Sequence, residues 1–407
     1  MKLAHKKPKK NSPVPAVYLH IPFCRHICPF CSFAVRRDRA ELHEKYILGM
    51  LDEITRRAAW LEEKKQIDRG AKLSGQKMLE SIYFGGGTPS SLRIPEIELL
   101  LSQVRNCFPC SDQLEISFEM NPEDVNPDYL SGLAEIGVNR LSLGGQSFQA
   151  ATLKKLGRFR SGLELRQALK AIADSAIDNW NLDLMFGIPE QSISMFRKDV
   201  EEALSYYPSH ISLYGLEIHE KTPFGQNEQI RKWDSEHQQQ FEDMYLWATE
   251  RLEKAGLIQY EVSNFALKTK EGRNNLLVWS GNEYLGFGVG AHSHLSQTRW
   301  GNKRSLKTYL KHLEQNNWPV DFEEQLQVNE QAAESLMLAL RQPEGVNIEQ
   351  WQKRYGLQWE KQQLDLVNEL CAAGRAFWKG QYLCLTAKGM LLADRITVEL
   401  MPERNRT

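Results

Sequence analysis

Short apolar runs rich in β-branched and aromatic residues alternate along this chain with longer stretches whose apolar positions recur at helical spacing. That alternation is the pattern of βαβ units around a parallel sheet. It predicts strands over Val17 to Ile21, Ser81 to Phe84, Leu114 to Glu119, Arg140 to Leu143, Asn181 to Leu184 and His210 to Leu213. Helices are predicted near Glu41 to Glu63, Pro95 to Asn106, Pro127 to Ile136, Leu163 to Asp174, Ser194 to Tyr206 and Ser235 to Ala255. Six such repeats are the count of a partial barrel, an α/β fold. Between the first two repeats, the polar segment Glu62 to Lys77 reads as a solvated loop or helix extension. After about Trp300 the glycine-rich character stops, and Leu-rich helical stretches surround a hairpin near Trp378 to Leu385. The expected division is a tail over 1–13, a barrel domain with its C-terminal extension over 14–305, and a smaller, mainly helical, winged-helix-like domain over 306–407.

Each predicted strand runs into something chemically unusual. Val17 to Ile21 leads into Cys24, Cys28 and Cys31, a C-x3-C-x2-C spacing on one loop. Three thiolates so placed signal a metal site. Structural zinc takes four protein ligands, whereas an iron-sulfur cluster held by three cysteines leaves one iron open to an outside ligand. Zinc completed by His20 or His26, a disulfide, and unligated thiols are the competing readings. Seven cysteines and no secretory signal count against disulfides. Further strands end in Gly85-Gly86-Gly87-Thr88-Pro89, Glu119-Met120-Asn121-Pro122, Gly144-Gly145-Gln146 and Asp183. In a barrel of parallel strands such carboxyl ends gather on one face, where function resides. Consecutive glycines let backbone approach a ligand with no Cβ in the way. Glu119 and Asp183 would need a cation or hydrogen-bond donors to be tolerated there. An internal bridge to arginine is the structural alternative for each.

Composition narrows the partners. Lys and Arg total 51 and Asp and Glu 52, a net charge of −1, so no nucleic-acid face is advertised. The one basic cluster, Lys2 to Lys10, reads as a disordered tail. No run approaches the roughly 18 apolar residues of a membrane span, and the amino terminus does not look like an export signal. A cytoplasmic protein without an integral membrane segment is expected.

An α-amino acid can chelate an open cluster iron through its amine and carboxylate, and here the chain resembles the radical S-adenosylmethionine (radical SAM) superfamily. More specifically, the succession Y-x-H-I-P-F-C-x3-C-x-F-C, GGGTP, E-x-N-P, G-x-Q-S-F, L-G-R and N-x-D-L-x-x-G-x-P resembles the oxygen-independent coproporphyrinogen III oxidase family, including its HemW-type heme chaperones. The resemblance covers nearly the full chain. It implies that Cys24, Cys28 and Cys31 hold a [4Fe-4S] cluster, and that Tyr18 and Phe30 pack beside the cluster and its ligand. Gly86, Gly87, Thr88, Glu119, Gln146, Arg158 and Asp183 are then implied to line the S-adenosylmethionine pocket. The resemblance also implies an outside electron donor, and for the chaperone branch heme as cargo and an apo-hemoprotein as acceptor.

One position separates the branches. The oxidases resemble C-x3-C-x2-C-x-C, whereas Phe33 stands here in place of the fourth cysteine. The run Tyr260 to Ala266, followed by Tyr284 to Ser293, also looks like the chaperone branch. That branch usually reads H-N-x-x-Y-W between them, and this chain reads Asn274-Asn275-Leu276-Leu277-Val278-Trp279. His292 and His294 remain as alternative imidazoles for heme, against the reading of structural histidines. Cys107 and Cys110 read as a structural C-x2-C rather than a redox pair, and Cys371 and Cys384 as core. Trp233, Trp247, Trp351 and Trp359 read as helix packing.

Overall fold

The computed structural model describes residues 14–67, 78–158 and 162–402, and the side chains of 65–67 are excluded from that description. The basic tail and most of the polar segment after Glu62 lie outside it. Two compact units result: 14–145, 157–180 and 282–324 form the first, and 146–156, 181–281 and 325–402 the second.

In the first unit, Ala16–Ile21, Leu79–Gly86, Cys110–Met120 and Arg140–Gln146 pair in that order, all parallel. Parallel strands are buried on both faces, which is why these segments read as apolar runs. Side chains still alternate by two along each strand. In register, Leu19 sits beside Phe84 and Phe84 beside Phe118, all fully buried. The intervening positions, Tyr18 beside Tyr83 and Glu119 beside Ser142, project to the opposite face. The same alternation that packs the core therefore lines up the polar set. Tyr284–Phe287 adds a parallel strand on the other side of Ala16–Ile21, and His292–Leu295 and Thr298–Asn302 continue antiparallel. These were not among the predicted strands, because each is short and two of the three contain a glycine.

Helix His43–Ile67 carries Tyr46, Met50 and Ile54, all fully buried. It also buries a carboxylate. Glu53 accepts from Tyr309 Oη at 2.6 Å, Asn302 Nδ2 at 2.7 Å and the Gly288 N–H at 2.9 Å. Burial still pushes its pKa up, against those three donors. One turn on, the largely buried Arg57 guanidinium lies 4.0 to 4.9 Å from the Trp318, Trp300 and Trp60 ring centroids.

In the second unit, Trp180–Phe186 and His210–Gly215 pair in parallel, and Asn264–Ala266 runs antiparallel to the latter. The six predicted strands are thus all present. The helix expected over Ser235 to Ala255 is Gln238–Lys254, and a further helix that was not expected, Glu228–Glu236, precedes it. His237 breaks them: its Nδ1 lies 2.7 Å from the Trp233 carbonyl oxygen, competing for a group the backbone would otherwise use.

The carboxyl-terminal part is mainly helical, with a small sheet in the order Val346–Asn347, Tyr382–Leu385, Ala376–Lys379. Gly380, with a φ of +62°, turns the predicted hairpin. Helices Val328–Leu340, Ile348–Tyr355, Lys361–Ala372 and Ala393–Leu400 enclose Leu336, Trp351, Leu383 and Leu400. Among the described residues no helix is long and apolar enough to cross a membrane.

Candidate functional site

The cysteine loop is held at both ends. Phe23–Cys24 pairs in parallel with Arg36–Arg37, and the Asp38 N–H donates to the Cys24 carbonyl at 2.8 Å. The Arg25 guanidinium, 2.6 Å from Asp124, and Ser90, 2.6 Å from the other oxygen of Asp124, tie the loop to the turns that follow the next two strands. Cys24 is buried, while Cys28 and Cys31 are partly exposed. Burial pushes the Cys24 thiol up to about 12 and raises Cys31 as well; Cys24 feels both other thiols, Cys31 feels Cys28, and Arg158 acts on both in the opposite direction.

The glycine run closes over this loop. The Gly87 N–H donates to the Ile21 carbonyl at 2.7 Å. A Cβ on Gly87 would stand 2.9 Å from Cys24 Sγ and 2.9 Å from each of the Ile21 and Phe23 carbonyl oxygens. Gly86 has a φ of +114°, and a Cβ there would lie 2.5 Å from the His20 ring. Thr88 Oγ1 donates to Cys24 Sγ at 3.7 Å and accepts from Asn121 Nδ2 at 3.1 Å. Arg158 Nη1 donates to the Gly144 carbonyl at 2.7 Å and reaches Asn121 Oδ1 at 3.4 Å. Beside it, Gly157 of the L-G-R motif is packed so closely on Pro29 that a Cβ would lie 2.6 Å from the ring.

Glu119 accepts from Tyr83 Oη at 2.8 Å and from the Gly86 N–H at 3.1 Å. Tyr18 lies in the same group: its ring is stacked 6.0 Å from that of Tyr83, and its hydroxyl is 3.2 Å from His20 Nδ1. Cys24, Cys28, Cys31, Phe30, Tyr18, Gly86, Gly87, Thr88, Glu119 and Arg158 therefore all belong to the first unit. Gln146 and Asp183 belong to the second. Gln146 is buried with a φ of +67°, a left-handed conformation that costs a non-glycine residue about 1 kcal/mol or more. Asp183 accepts from Asn181 Nδ2 at 2.6 Å.

His20 is not positioned as a zinc ligand. Its Nε2 is 3.0 Å from the Ala34 carbonyl and its Nδ1 faces Tyr18, so both nitrogens have partners. Burial also lowers its pKa to about 4. Among the described residues no three His, Cys, Asp or Glu side chains converge on one ion. A cubane asks for something else, since each cysteine binds a different iron and the sulfurs do not meet at a point. The buried Cys24 against a Cβ-free turn, with two more cysteines on the same loop, fits that group.

Sequence reasoning missed Tyr83 and Asn121. Asn121 is the third residue of the E-x-N-P motif, which was the available signal; Tyr83 had none, because its partner Glu119 is set by strand register. Cys107 and Cys110 are not joined in a disulfide; Cys107 Sγ accepts from Gln103 Nε2 at 3.5 Å, and Cys110 Sγ lies near the Phe108 carbonyl. Cys384 is fully buried and Cys371 packs on the carboxyl-terminal core.

A three-cysteine loop, a Cβ-free turn against it and a parallel sheet of this kind define a radical SAM protein. The model of the radical SAM superfamily matches residues 18–203, and that of the HemN C-terminal domain matches residues 326–392. Among curated proteins, the chain is 31% identical to the heme chaperone HemW of Bacillus subtilis (strain 168), with 94% of this chain and 97% of that protein covered. It is 35% identical to the heme chaperone HemW of Synechocystis sp. over 81% of this chain and 79% of that protein. The chain belongs to the HemW family. The solved structure of Escherichia coli coproporphyrinogen III oxidase (HemN), a radical SAM enzyme, matches with a TM-score of 0.78 over 96% of this chain and 91% of that one. At 21% identity that likeness shows the fold. Radical SAM membership implies a [4Fe-4S] cluster and S-adenosylmethionine.

Proposed function

We propose that this protein is a heme chaperone of the HemW type, acting in the cytoplasm and delivering heme to apo-hemoproteins. Cys24, Cys28 and Cys31 hold the [4Fe-4S] cluster. Tyr18, Phe30, Gly86, Gly87, Thr88, Glu119, Gln146, Arg158 and Asp183 bind S-adenosylmethionine. When bound, the cluster supplies an electron, taken from an outside donor, to the sulfonium group.

The chain's own residues prepare that site. Gly86 and Gly87 let backbone come close where a side chain would collide. Glu119, held by Tyr83 and the Gly86 N–H, presents a carboxylate to an ammonium group. Arg158, anchored on Gly144 and Asn121, supplies a cation for a carboxylate. Asp183 suits a ribose diol.

The single observation that carries the chaperone reading over the oxidase is Phe33. It takes the place of the fourth cysteine and is two-thirds exposed, at 66%. Asn274 and Val278 cannot ligate heme iron as histidine and tyrosine can, so the iron ligand lies elsewhere on the chain. The test is anaerobic. Cluster-replete protein should bind heme stoichiometrically, with a Soret shift, and pass it to an apo-hemoprotein, while coproporphyrinogen III with S-adenosylmethionine and a strong reductant stays unconverted. Multiple turnovers to protoporphyrinogen would establish the oxidase instead.

A further inference from the structure

Within the second unit a line of polar side chains leads to Asp183, and the binding roles above leave it unexplained. Asn181 and His210 are partners across the parallel pair Trp180–Phe186 and His210–Gly215, and both are buried. The phenol oxygen of Tyr260 accepts from the Gly272 N–H and from Asn275 Nδ2, each at 3.2 Å. Its own hydrogen then points at His210 Nε2, 2.8 Å away. His210 Nδ1 is 2.6 Å from Asn181 Oδ1, which can only accept, so Nδ1 carries the ring hydrogen. Asn181 Nδ2 in turn donates to Asp183 Oδ1 at 2.6 Å.

Every donation runs one way, from Tyr260 through His210 and Asn181 to the carboxylate. The other imidazole tautomer would set two acceptors 2.6 Å apart at Asn181, so the direction is fixed by chemistry. Aligned bonds polarise one another, which strengthens the last donor, the Asn181 N–H, and holds Asp183 in one orientation.

We infer that His210 and Tyr260 are positioning residues for nucleoside binding, acting on Asp183 through Asn181. The inference rests on the reading that Asp183 takes the ribose diol. By fixing one carboxylate oxygen, the relay sets the direction in which the group meets the two hydroxyls. Its head lies at the helix Arg273–Trp279, through Asn275, and Tyr260 also lines a cavity of about 440 Å³ with Leu276 and Gln342.

The test uses full-length, cluster-reconstituted protein under anaerobic conditions. Binding of S-adenosylhomocysteine and of its 2′-deoxyribosyl analogue is measured by calorimetry. Asp183→Asn should weaken S-adenosylhomocysteine binding about tenfold and abolish discrimination between the two ligands. His210→Phe and Tyr260→Phe should each reduce that discrimination severalfold while the deoxy analogue binds as it does to wild type, and His210→Gln should restore part of it. A merely structural role would weaken both ligands together. If Asp183→Asn still discriminates like wild type, the ribose reading falls. If Asp183→Asn loses discrimination but His210→Phe and Tyr260→Phe keep it, the relay falls. Tyr260→Phe removes one oxygen only and carries the test if His210→Phe does not fold.

Discussion

Replacing Gly87 by Ala adds one methyl group where three atoms stand at 2.9 Å, two of them backbone carbonyl oxygens and the third the sulfur of Cys24. A methyl carbon is comfortable at about 3.5 Å or beyond, so the turn and the cysteine strand must part by roughly 0.6 Å. Carbonyls held in a strand cannot swing aside as a side-chain tip can. Overpacking of this kind costs about 1–3 kcal/mol, with the displacement concentrated at Cys24. Gly356→Ala is the control. It ends a helix at a φ of +67° with no atom within 4 Å of the new methyl, so its cost is left-handed strain alone, about 1–2 kcal/mol. The two variants should lose similar stability in a denaturant titration of the apoprotein. They should differ after anaerobic reconstitution, where Gly356→Ala takes up iron and sulfide like wild type and Gly87→Ala falls well short. Full cluster content and unchanged stability in Gly87→Ala would refute the reasoning.

Glu119→Gln removes the charge but keeps a carboxamide oxygen for the Gly86 N–H, its NH2 facing the Tyr83 hydroxyl, which can turn to accept, so S-adenosylmethionine should bind roughly ten- to a hundredfold more weakly by calorimetry with little change in melting temperature. Glu53→Ala strands the Tyr309, Asn302 and Gly288 donors in the core and should cost about 3 kcal/mol or more in urea unfolding, whereas Glu53→Gln should cost less. Glu261 is buried with its pKa raised by burial to about 7, so the folded state holds its proton more tightly than the unfolded state does. Stability from this group is therefore fully present below the unfolded value near 4.5 and is lost as pH rises towards 7, by roughly 3 kcal/mol in all. Glu261→Gln should flatten that decline and melt higher than wild type at pH 8; equal melting temperatures there would count against it.

The framework of this protein was legible because its determinants are local. Apolar runs such as Val17 to Ile21 are long enough to mark strands buried on both faces, and the cysteine spacing announces its chemistry within eight residues. The glycine run was legible as a place of close backbone approach, though the sequence could not say that Gly87 faces Cys24 itself. What remained hidden depends on register. Tyr83 meets Glu119 only because Ser81 aligns with Glu115 across a shift in the ladder, and no spacing along the chain encodes that offset. A smaller offset arises at His237: the helix expected from Ser235 begins instead at Gln238, after a break where the His237 ring reaches the Trp233 carbonyl.

The segment Asn274 to Trp279 brings both lessons together. Read as a motif it is a loss, because imidazole and phenol are absent from the two positions where the chaperone branch carries them. Read in place it is occupied: Asn275 donates to the Tyr260 phenol, and Gly272, at the amino end of the same helix, donates from its backbone. Asn275 is the motif's own asparagine, not one of the two altered positions, and here its side chain feeds a line of donors ending on Asp183. The asparagine of the motif thus has a role independent of iron, in orienting Tyr260. If the chain captures heme as proposed, an imidazole elsewhere must serve, and of His292 and His294 it is His292 that is exposed; its ring lies 5.3 Å from that of Phe322, and burial, with Arg299 and Arg304, lowers its pKa and favours a neutral nitrogen. If His292→Ala leaves the heme spectrum unchanged in the titration described above, His294 becomes the residue to replace next.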